Sequence, residues 1–228
     1  NVGYDVVWVE NEHAFLDKAT TNLHVMAAQA GGAAAIVRVP WNDPVLVKPV
    51  LEMGVDGVIF PMIGSAEEAK KAIASCTYPP AGIRGMGPIR ANRYGLMSNA
   101  EYLKDADAKV FKMLQIEHVD AANSIESILD VPGIDGIIVG QFDMSGSIGK
   151  LSQIYDPENL ALIEKVFKAC RKRGVPCGIS AAPNERDLST WLAMGINFVF
   201  MTNEYEWVRM GSQNALAMIQ KLKEGFIQ

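Results

Sequence analysis

Two carboxylates follow neighbouring apolar runs in the middle of the chain and are the residues best placed for chemistry. Glu117 comes directly after the run Val110–Ile116, and Asp143 follows Gly136–Val139 after a short turn. A helical pattern over Ala121–Leu129 separates the runs, which predicts a strand, a crossover helix and a second, parallel strand. Because parallel strands end at the same edge of a sheet, we expect both carboxylates at the edge where α/β sheets and barrels place their chemistry.

Oxygen ligands of this kind favour one class of metal. Two carboxylates on adjacent strand ends suit Mg²⁺ or Mn²⁺ better than Zn²⁺, and Co²⁺ is a further option. The alternative is that Glu117 and Asp143 are solvated loop acids. The glycine-rich segment Gly140–Gly149 argues against it, because such a turn exposes backbone N–H groups that can hold an anion beside the cation.

The rest of the chain consists of repeated strand–helix units. The other strands predicted are Val6–Val9, Ala34–Val39, Gly57–Phe60, Val175–Ile179 and Phe198–Met201. Alternating strands and helices at this spacing predict a parallel sheet with helices outside. We count seven strands, and a (β/α)₈ barrel needs eight. We therefore expect an α/β fold, a TIM barrel that lacks its first strand and helix, forming a single domain over residues 1–228.

Composition excludes several classes of function. Hydrophobic residues make up 49% and charged residues 21%, which is typical of a globular protein. The net charge of −5 and the scattered basic residues give no reason to expect a nucleic-acid partner. No apolar run approaches the roughly 20 residues that span a bilayer, so no membrane partner is expected. Three cysteines without metal-type spacing indicate a reducing, cytoplasmic location.

Three separated motifs resemble one family. They are QIE at Gln115–Glu117, GxxDxSxSxG at Gly140–Gly149, and YPPAGIRGMGPIRANRYG at Tyr78–Gly95. In this order they resemble the HpcH/HpaI family of metal-dependent, class II pyruvate aldolases, of the 2,4-dihydroxyhept-2-ene-1,7-dioate aldolase type. The resemblance covers nearly the whole chain. It implies an aldehyde-lyase that cleaves or forms 4-hydroxy-2-oxo acids, with pyruvate or another 2-oxo acid and an aldehyde as partners.

The resemblance also implies roles for the residues at the strand ends. A divalent ion on Glu117 and Asp143 would chelate the carboxylate and keto oxygen of pyruvate and act as a Lewis acid on the enolate. Backbone N–H groups near Phe142 and Asp143 would hold the substrate carboxylate, and Gln115 would point to the same rim. Arg38, in the strand AAAIVRVP, would assist the keto oxygen. The alternative for Arg38 is a buried ion pair with a strand-end acid.

The base is expected in the first loop. The family carries an acid–x–acid–histidine sequence there, and Glu10-Asn11-Glu12-His13 matches it. His13 would be the general acid and base, with Glu10 orienting its ring. The family usually has aspartate in place of Glu10, so the longer side chain is a departure from its pattern.

Three other functions are possible, and one feature distinguishes each of them. A Schiff-base aldolase would need a lysine at the carboxyl end of a strand, and Lys112 lies early in its strand. An acyl-CoA lyase of the citrate lyase beta or malyl-CoA lyase type shares the metal logic and would turn over CoA thioesters. A non-catalytic metal-binding barrel would bind the metal without enolising pyruvate.

Two further expectations concern the oligomeric state of the protein and the length of its natural chain. The family resemblance implies a homo-hexamer, a trimer of dimers, and the apolar positions of the terminal helix Trp207–Lys223 suit docking on a neighbouring barrel. The alternative is that this helix packs on its own barrel. Because an open barrel leaves unpaired strand edges, we also expect roughly 20–30 further residues before Asn1 in the natural polypeptide.

Overall fold

Seven parallel strands form the centre of the molecule in a computed structural model that describes residues 2–226. Each strand pairs with the next one along the chain, so their carboxyl ends lie at one edge. The strands are β1 (Val6–Glu10), β2 (Ala34–Arg38), β3 (Gly57–Phe60), β4 (Phe111–Ile116), β5 (Gly136–Val139), β6 (Cys177–Ala181) and β7 (Phe198–Met201). The parallel sheet predicted from the sequence is confirmed.

Helices cover the outside of the sheet. They are α1 (Lys18–Ala30), α2 (Pro44–Glu52), α3 (Ala66–Cys76), α4 (Asn99–Tyr102), α5 (Ala106–Lys109), α6 (Val119–Asn123), α7 (Ile125–Leu129), α8 (Gln141–Ser147), α9 (Pro157–Arg173), α10 (Glu185–Ala193) and α11 (Glu204–Phe226). None of the helices within residues 2–226 is both long and apolar enough to cross a membrane.

The sheet curves into a nearly closed barrel with two apolar layers. Four buried side chains fill its interior: Ile36, Ile59, Met113 and Ile138. At the seam, the rings of Trp8 in β1 and Phe200 in β7 meet edge to face with centroids 5.0 Å apart. Within the described residues no hydrogen-bonded pairing joins β1 to β7. The expected fold, a TIM barrel short of one strand, is therefore the fold observed.

Three predicted segments differ from the structure. The segment expected to be a glycine-rich turn around Asp143 is instead helix α8. The helix expected over Ala121–Leu129 is two helices, because Ser124 leaves helical geometry at φ −96° and ψ +9°. The strand expected from Val175 begins at Cys177, and Pro176 before it has no N–H to donate to a neighbouring strand.

Helix α11 lies apart from the barrel. None of its described side chains is buried, and it exposes large apolar residues along its length. These include Val208, Leu216, Met218, Ile219 and Leu222. The alternative that this helix packs on its own barrel is not what the structure shows.

Candidate active site

The residues predicted to do chemistry meet at the carboxyl edge of the barrel. Glu10 ends β1 and is paired in register with Arg38, which ends β2. Glu117 follows β4 directly. Asp143 lies in the first turn of α8, just after β5. The parallel order of the strands is what brings these side chains, distant in sequence, to one rim.

Glu117 is the most constrained of these residues. It is only 3% exposed. Its Oε1 accepts a hydrogen bond of 2.7 Å from the backbone N–H of Met62, and its Oε2 accepts one from the Gln115 side-chain amide. Gly140 packs directly against it, because a Cβ at that position would lie 2.5 Å from Glu117 Oε2. Contacts from three segments therefore hold the carboxylate in one place.

The surroundings of Glu117 disfavour its ionised form. Burial above all, with a contribution from the negative charges of Glu12 and Asp143, raises the pKa of its carboxyl to about 7. The hydrogen bonds from Gln115 and Met62 act in the opposite direction without cancelling the effect of burial. Neighbouring carboxylates with this excess of negative charge are an environment that a divalent cation would stabilise.

The donor set fits a hard cation. Within residues 2–226 no group of three or more histidine, cysteine, aspartate or glutamate side chains is arranged to hold a metal. The two predicted ligands, Glu117 and Asp143, are both carboxylates at the carboxyl rim, and an ion held by them would have other positions for water and substrate. Mg²⁺ and Mn²⁺ accept this arrangement, because Mg²⁺ commonly uses one or two carboxylates and keeps several waters.

Asp143 contrasts with Glu117 in its surroundings. It is exposed at the start of α8, next to Phe142, which is also exposed. The first N–H groups of a helix have no partner within the helix. Replacing the expected turn by a helix therefore preserves the predicted feature, a set of backbone donors beside Asp143.

Arg38 is already paired with acids. Its Nε donates to Glu10 Oε2 at 2.7 Å, and its Nη2 also contacts that oxygen. Its Nη1 lies 3.0 Å from Glu12 Oε2 and donates to Gln115 Oε1 at 3.2 Å. The guanidinium also stacks over the Trp8 ring. The ion pair with strand-end acids that we considered as an alternative is therefore present, in a partly buried form. The hydrogen bonds use Nε and one N–H of Nη1, so other guanidinium N–H groups can donate to a further acceptor.

Gln115 connects the two halves of the rim. Its side-chain oxygen accepts from Arg38, and its side-chain nitrogen donates to Glu117. The sequence analysis expected Gln115 at this rim, as a candidate for binding substrate. In the structure its amide lies between the arginine and the buried carboxylate and contacts both.

His13 is on the rim but loosely held. Its side chain is 72% exposed, and Nε2 lies 3.8 Å from Glu12 Oε2. The carboxylate of Glu10 does not orient the ring as we expected. Its Oε1 accepts the backbone N–H groups of Glu12 and His13, at 2.6 and 3.0 Å. The glutamate folds back onto its own loop, and Glu12 is the acid that faces the imidazole.

Glu12 is the site residue that the sequence analysis passed over. Its Oε2 is buried without a hydrogen-bond partner, although Arg38 is close. Burial raises the pKa of Glu12, with Arg38 and His13 opposing the rise and Glu10 and Asp143 adding to it. Its place in the acid–x–acid–histidine sequence was the available signal.

Other charged features lie away from this rim. Lys112 is buried at the amino end of β4, where its Nζ donates to the carbonyls of Val110 and Asp107. It therefore cannot serve as a Schiff-base lysine at the carboxyl edge. A groove of about 370 Å³ lies between α7 and α9 on the outer face, where its Lys168 is paired with Glu164.

Comparison with known proteins agrees with this geometry. The family model for HpcH/HpaI aldolase/citrate lyase matches residues 1–208. The 5-keto-4-deoxy-D-glucarate aldolase of Citrobacter koseri is 33% identical over 220 residues, which cover 96% of this chain and 84% of the relative.

Two solved structures have the same fold. An HpcH/HpaI aldolase from Desulfitobacterium hafniense is 29% identical with a TM-score of 0.87, over 95% of this chain and 83% of that one. A family protein from Burkholderia cenocepacia is 28% identical with a TM-score of 0.90, over 96% and 86%. The strand-end carboxylates, the barrel and these matches together show that the chain belongs to the HpcH/HpaI aldolase/citrate lyase family.

Proposed function

We propose that this protein is a divalent-metal-dependent aldolase that cleaves or forms 4-hydroxy-2-oxo acids through a pyruvate enolate. The observation that carries the proposal is the carboxylate of Glu117. It is buried and held by hydrogen bonds, and the negative charge of Asp143 contributes to its raised pKa. An ionised carboxylate is costly to bury, and a cation bound at this edge of the barrel would offset that cost. The aldolases among its relatives support the same reaction class.

Glu117 and Asp143 are the proposed metal ligands. The family consists of divalent-metal-dependent aldolases, and we propose Mg²⁺ or Mn²⁺, with Co²⁺ as a substitute. When bound by these two carboxylates, the ion would supply a Lewis acid for the negative charge that develops on the 2-oxo acid. The chain's own part is to hold the Glu117 carboxylate in position, through the hydrogen bonds from Met62 and Gln115.

Arg38 and the start of α8 are proposed to bind the 2-oxo acid. A guanidinium N–H of Arg38 outside its hydrogen bonds to Glu10 and Gln115 would donate to the keto oxygen, where negative charge develops as the carbon–carbon bond breaks. Glu10 and Glu12 hold the guanidinium in place for this contact. The unpartnered N–H groups near Phe142 and Asp143 would donate to the substrate carboxylate.

His13 is proposed as the general acid and base. In cleavage it would accept the proton of the 4-hydroxyl group, and the bond between C3 and C4 would break to release the aldehyde. A proton returned to C3 of the enolate then completes pyruvate. An exposed imidazole at the rim suits this exchange, because it can reach both substrate and solvent.

The substrate class follows from the reaction and the relatives. Aldolases of this type act on a 2-oxo acid and an aldehyde, and the relative in Citrobacter koseri is named for a hydroxylated keto acid, 5-keto-4-deoxy-D-glucarate. We propose a hydroxylated 2-oxo acid of this kind as substrate. An acyl-CoA lyase is the second candidate, because the family description includes citrate lyase.

The deciding experiment follows pyruvate itself. In D₂O the enzyme with Mn²⁺ or Mg²⁺ should exchange the methyl protons of pyruvate, as monitored by NMR, and should release pyruvate from 4-hydroxy-2-oxo acids. Both activities should vanish in excess EDTA and return with the metal. Full activity in EDTA would reject the proposal, metal binding without proton exchange would favour a non-catalytic barrel, and turnover of CoA thioesters alone would favour the acyl-CoA lyase.

We also propose that the protein assembles as a homo-hexamer, a trimer of dimers. The apolar side chains that α11 exposes support this assembly, since such a surface is normally covered in a stable oligomer. Light scattering coupled to gel filtration at micromolar concentration should give the mass of six chains. A monomeric mass would contradict the proposal.

A further inference from the structure

Met62 has an unusual backbone conformation. It follows β3 and Pro61, and its φ is +54°, in the left-handed region that few residues other than glycine occupy. Non-glycine residues stay in this region where the surrounding structure imposes it, and such positions concentrate at functional sites. The contacts of Met62 show what the conformation is for.

Two hydrogen bonds tie this segment to the end of β4. The N–H of Met62 donates to Glu117 Oε1 at 2.7 Å, and the N–H of the next residue, Ile63, donates to the Gln115 carbonyl at 3.2 Å. Rotation about the N–Cα bond of Met62 sets the angle between the peptide planes that carry these two N–H groups. The positive φ is therefore what allows both to point at β4 together.

The side chain of Met62 does not explain the strain. It is 40% exposed at the rim, so its packing cannot be the main reason for the backbone conformation. The hydrogen bonds are made by the backbone alone. A residue that adopts left-handed geometry more easily should make them equally well.

We infer that Met62 is a positioning residue, whose left-handed backbone rather than its side chain fixes the carboxylate of Glu117 for a divalent cation. The inference rests on the proposed function, since it assigns a task at the same site. Without the Met62 donor, Glu117 would keep only the Gln115 side chain as a hydrogen-bond partner. The carboxylate would then be held less firmly in its position at the rim.

The test is a series of substitutions ranked by their tolerance of positive φ. Met62→Gly, Met62→Asn, Met62→Ala and Met62→Val run from the most to the least tolerant. The Mn²⁺ dissociation constant of each purified full-length variant is measured by calorimetry, with free Mn²⁺ followed by EPR. We expect Met62→Gly to bind Mn²⁺ as tightly as the wild type. Met62→Val should weaken Mn²⁺ binding by roughly 10- to 100-fold, as is typical when a partner of a metal ligand is lost.

A matched control separates the site from general strain. Ser152 also has positive φ, +67°, but lies exposed in the loop before α9. Ser152→Val should lower the melting temperature while leaving the Mn²⁺ dissociation constant unchanged. In Met62→Val, the Mn²⁺ concentration that gives half-maximal activity should rise more than kcat falls, because the defect lies in holding the ion.

Each result decides one of two claims. Wild-type Mn²⁺ affinity in a folded Met62→Val would overturn the inference, as would equal losses in Met62→Gly and Met62→Val, which would assign the effect to the side chain. If Met62→Val does not fold, Met62→Gly decides, because a loss of Mn²⁺ affinity in that folded variant would assign the effect to the side chain and overturn the inference. Retention of Mn²⁺ binding by Glu117→Gln would instead refute the proposed function.

Discussion

The carboxyl rim of this barrel has two halves that are built differently. At the centre, β3, β4 and β5 each pair with two neighbours, and Glu117 is buried among contacts from all three. At the edge, β1 pairs with β2 alone among the described strands, and the loop after it carries an exposed His13. The central half is rigid, and the edge half depends on a single ion-pair cluster around Arg38.

The difference follows the demands of the chemistry. A metal ligand must be held within a fraction of an ångström, so it is placed where the sheet is most constrained. A proton carrier must reach substrate and solvent in turn, so it tolerates an open position. Gln115 joins the two halves through one amide, which lets Arg38 and Glu117 be oriented by the same residue.

Breaking the central half should have the largest effect. Glu117→Gln removes the buried carboxylate proposed to bind the metal, and Asp143→Asn removes the exposed one. Each should reduce metal-dependent pyruvate release by at least about 10³-fold, because the Lewis acid is lost. Steady-state kinetics at saturating Mn²⁺ measure this, with circular dichroism as the control for folding. An active Asp143→Asn would mean that the central carboxylate binds the metal without its partner.

Breaking the connection between the halves should come next. Arg38→Ala removes the donor proposed for the keto oxygen and should cost on the order of 10²–10³ in rate, the size typical of a lost oxyanion donor. Aldol cleavage and oxaloacetate decarboxylation should both fall, because both pass through enolpyruvate. Arg38→Lys is the matched control that keeps the charge, and it should recover little, since it cannot reproduce the bonds to Glu10, Glu12 and Gln115.

Changing the edge half alone should slow aldol cleavage more than decarboxylation. His13→Ala should lower aldol cleavage by roughly 10²-fold, at the low end for a general base, and decarboxylation much less. Decarboxylation forms the enolate without removing a proton from carbon or a hydroxyl group. The ratio of the two rates in one preparation is the measurement. Equal losses in both reactions would remove His13 from the acid and base role.

The smallest effect concerns stability without metal. The pKa of Glu117 is about 7 in the folded protein against an ordinary value of 4.5, so folding favours its protonated form. In EDTA this group should therefore lower stability as pH rises from about 4.5 to about 7, by on the order of 3 kcal/mol in total. Below that range the penalty is absent, and above it the penalty is complete.

Glu117→Gln isolates that contribution. In urea unfolding with EDTA, the variant should be more stable than the wild type at pH 8 and nearly equal to it at pH 5. Asp143→Asn is the matched control, and it should change stability little at either pH because Asp143 is exposed. A Glu117→Gln protein less stable than the wild type at pH 8 would show that the buried carboxylate is not under electrostatic strain.

Much of the architecture could be predicted from local patterns. Apolar runs of strand length alternating with helical stretches define a parallel sheet, and Asp43 and Ser65 cap α2 and α3 as their sequences predict. Parallel order then requires Glu117 and Asp143 to share an edge. These features depend on short-range chemistry and on the geometry of parallel strands, so the sequence determines them by itself.

Segments governed by longer-range contacts were not predictable in the same way. The glycines around Asp143 suggested a turn, yet the segment is helix α8, with Met144 and Ser145 buried in the structure. Tertiary burial overrode the low helix propensity of glycine and serine there. Strand β6 begins two residues later than predicted, at Cys177 instead of Val175, and its pairing with β5 and β7 sets this position.

Tertiary structure alone decided which polar groups meet at the rim. The motif Glu10-Asn11-Glu12-His13 names two acids, but only folding shows that Glu10 caps its own loop while Glu12 faces His13 and Arg38. The positive φ of Met62 is equally invisible in the sequence, because methionine does not favour it. Sequence patterns determine which elements form and at which edge they end. The partners of each side chain depend on distances between residues far apart in the chain, and those exist only once the barrel has formed.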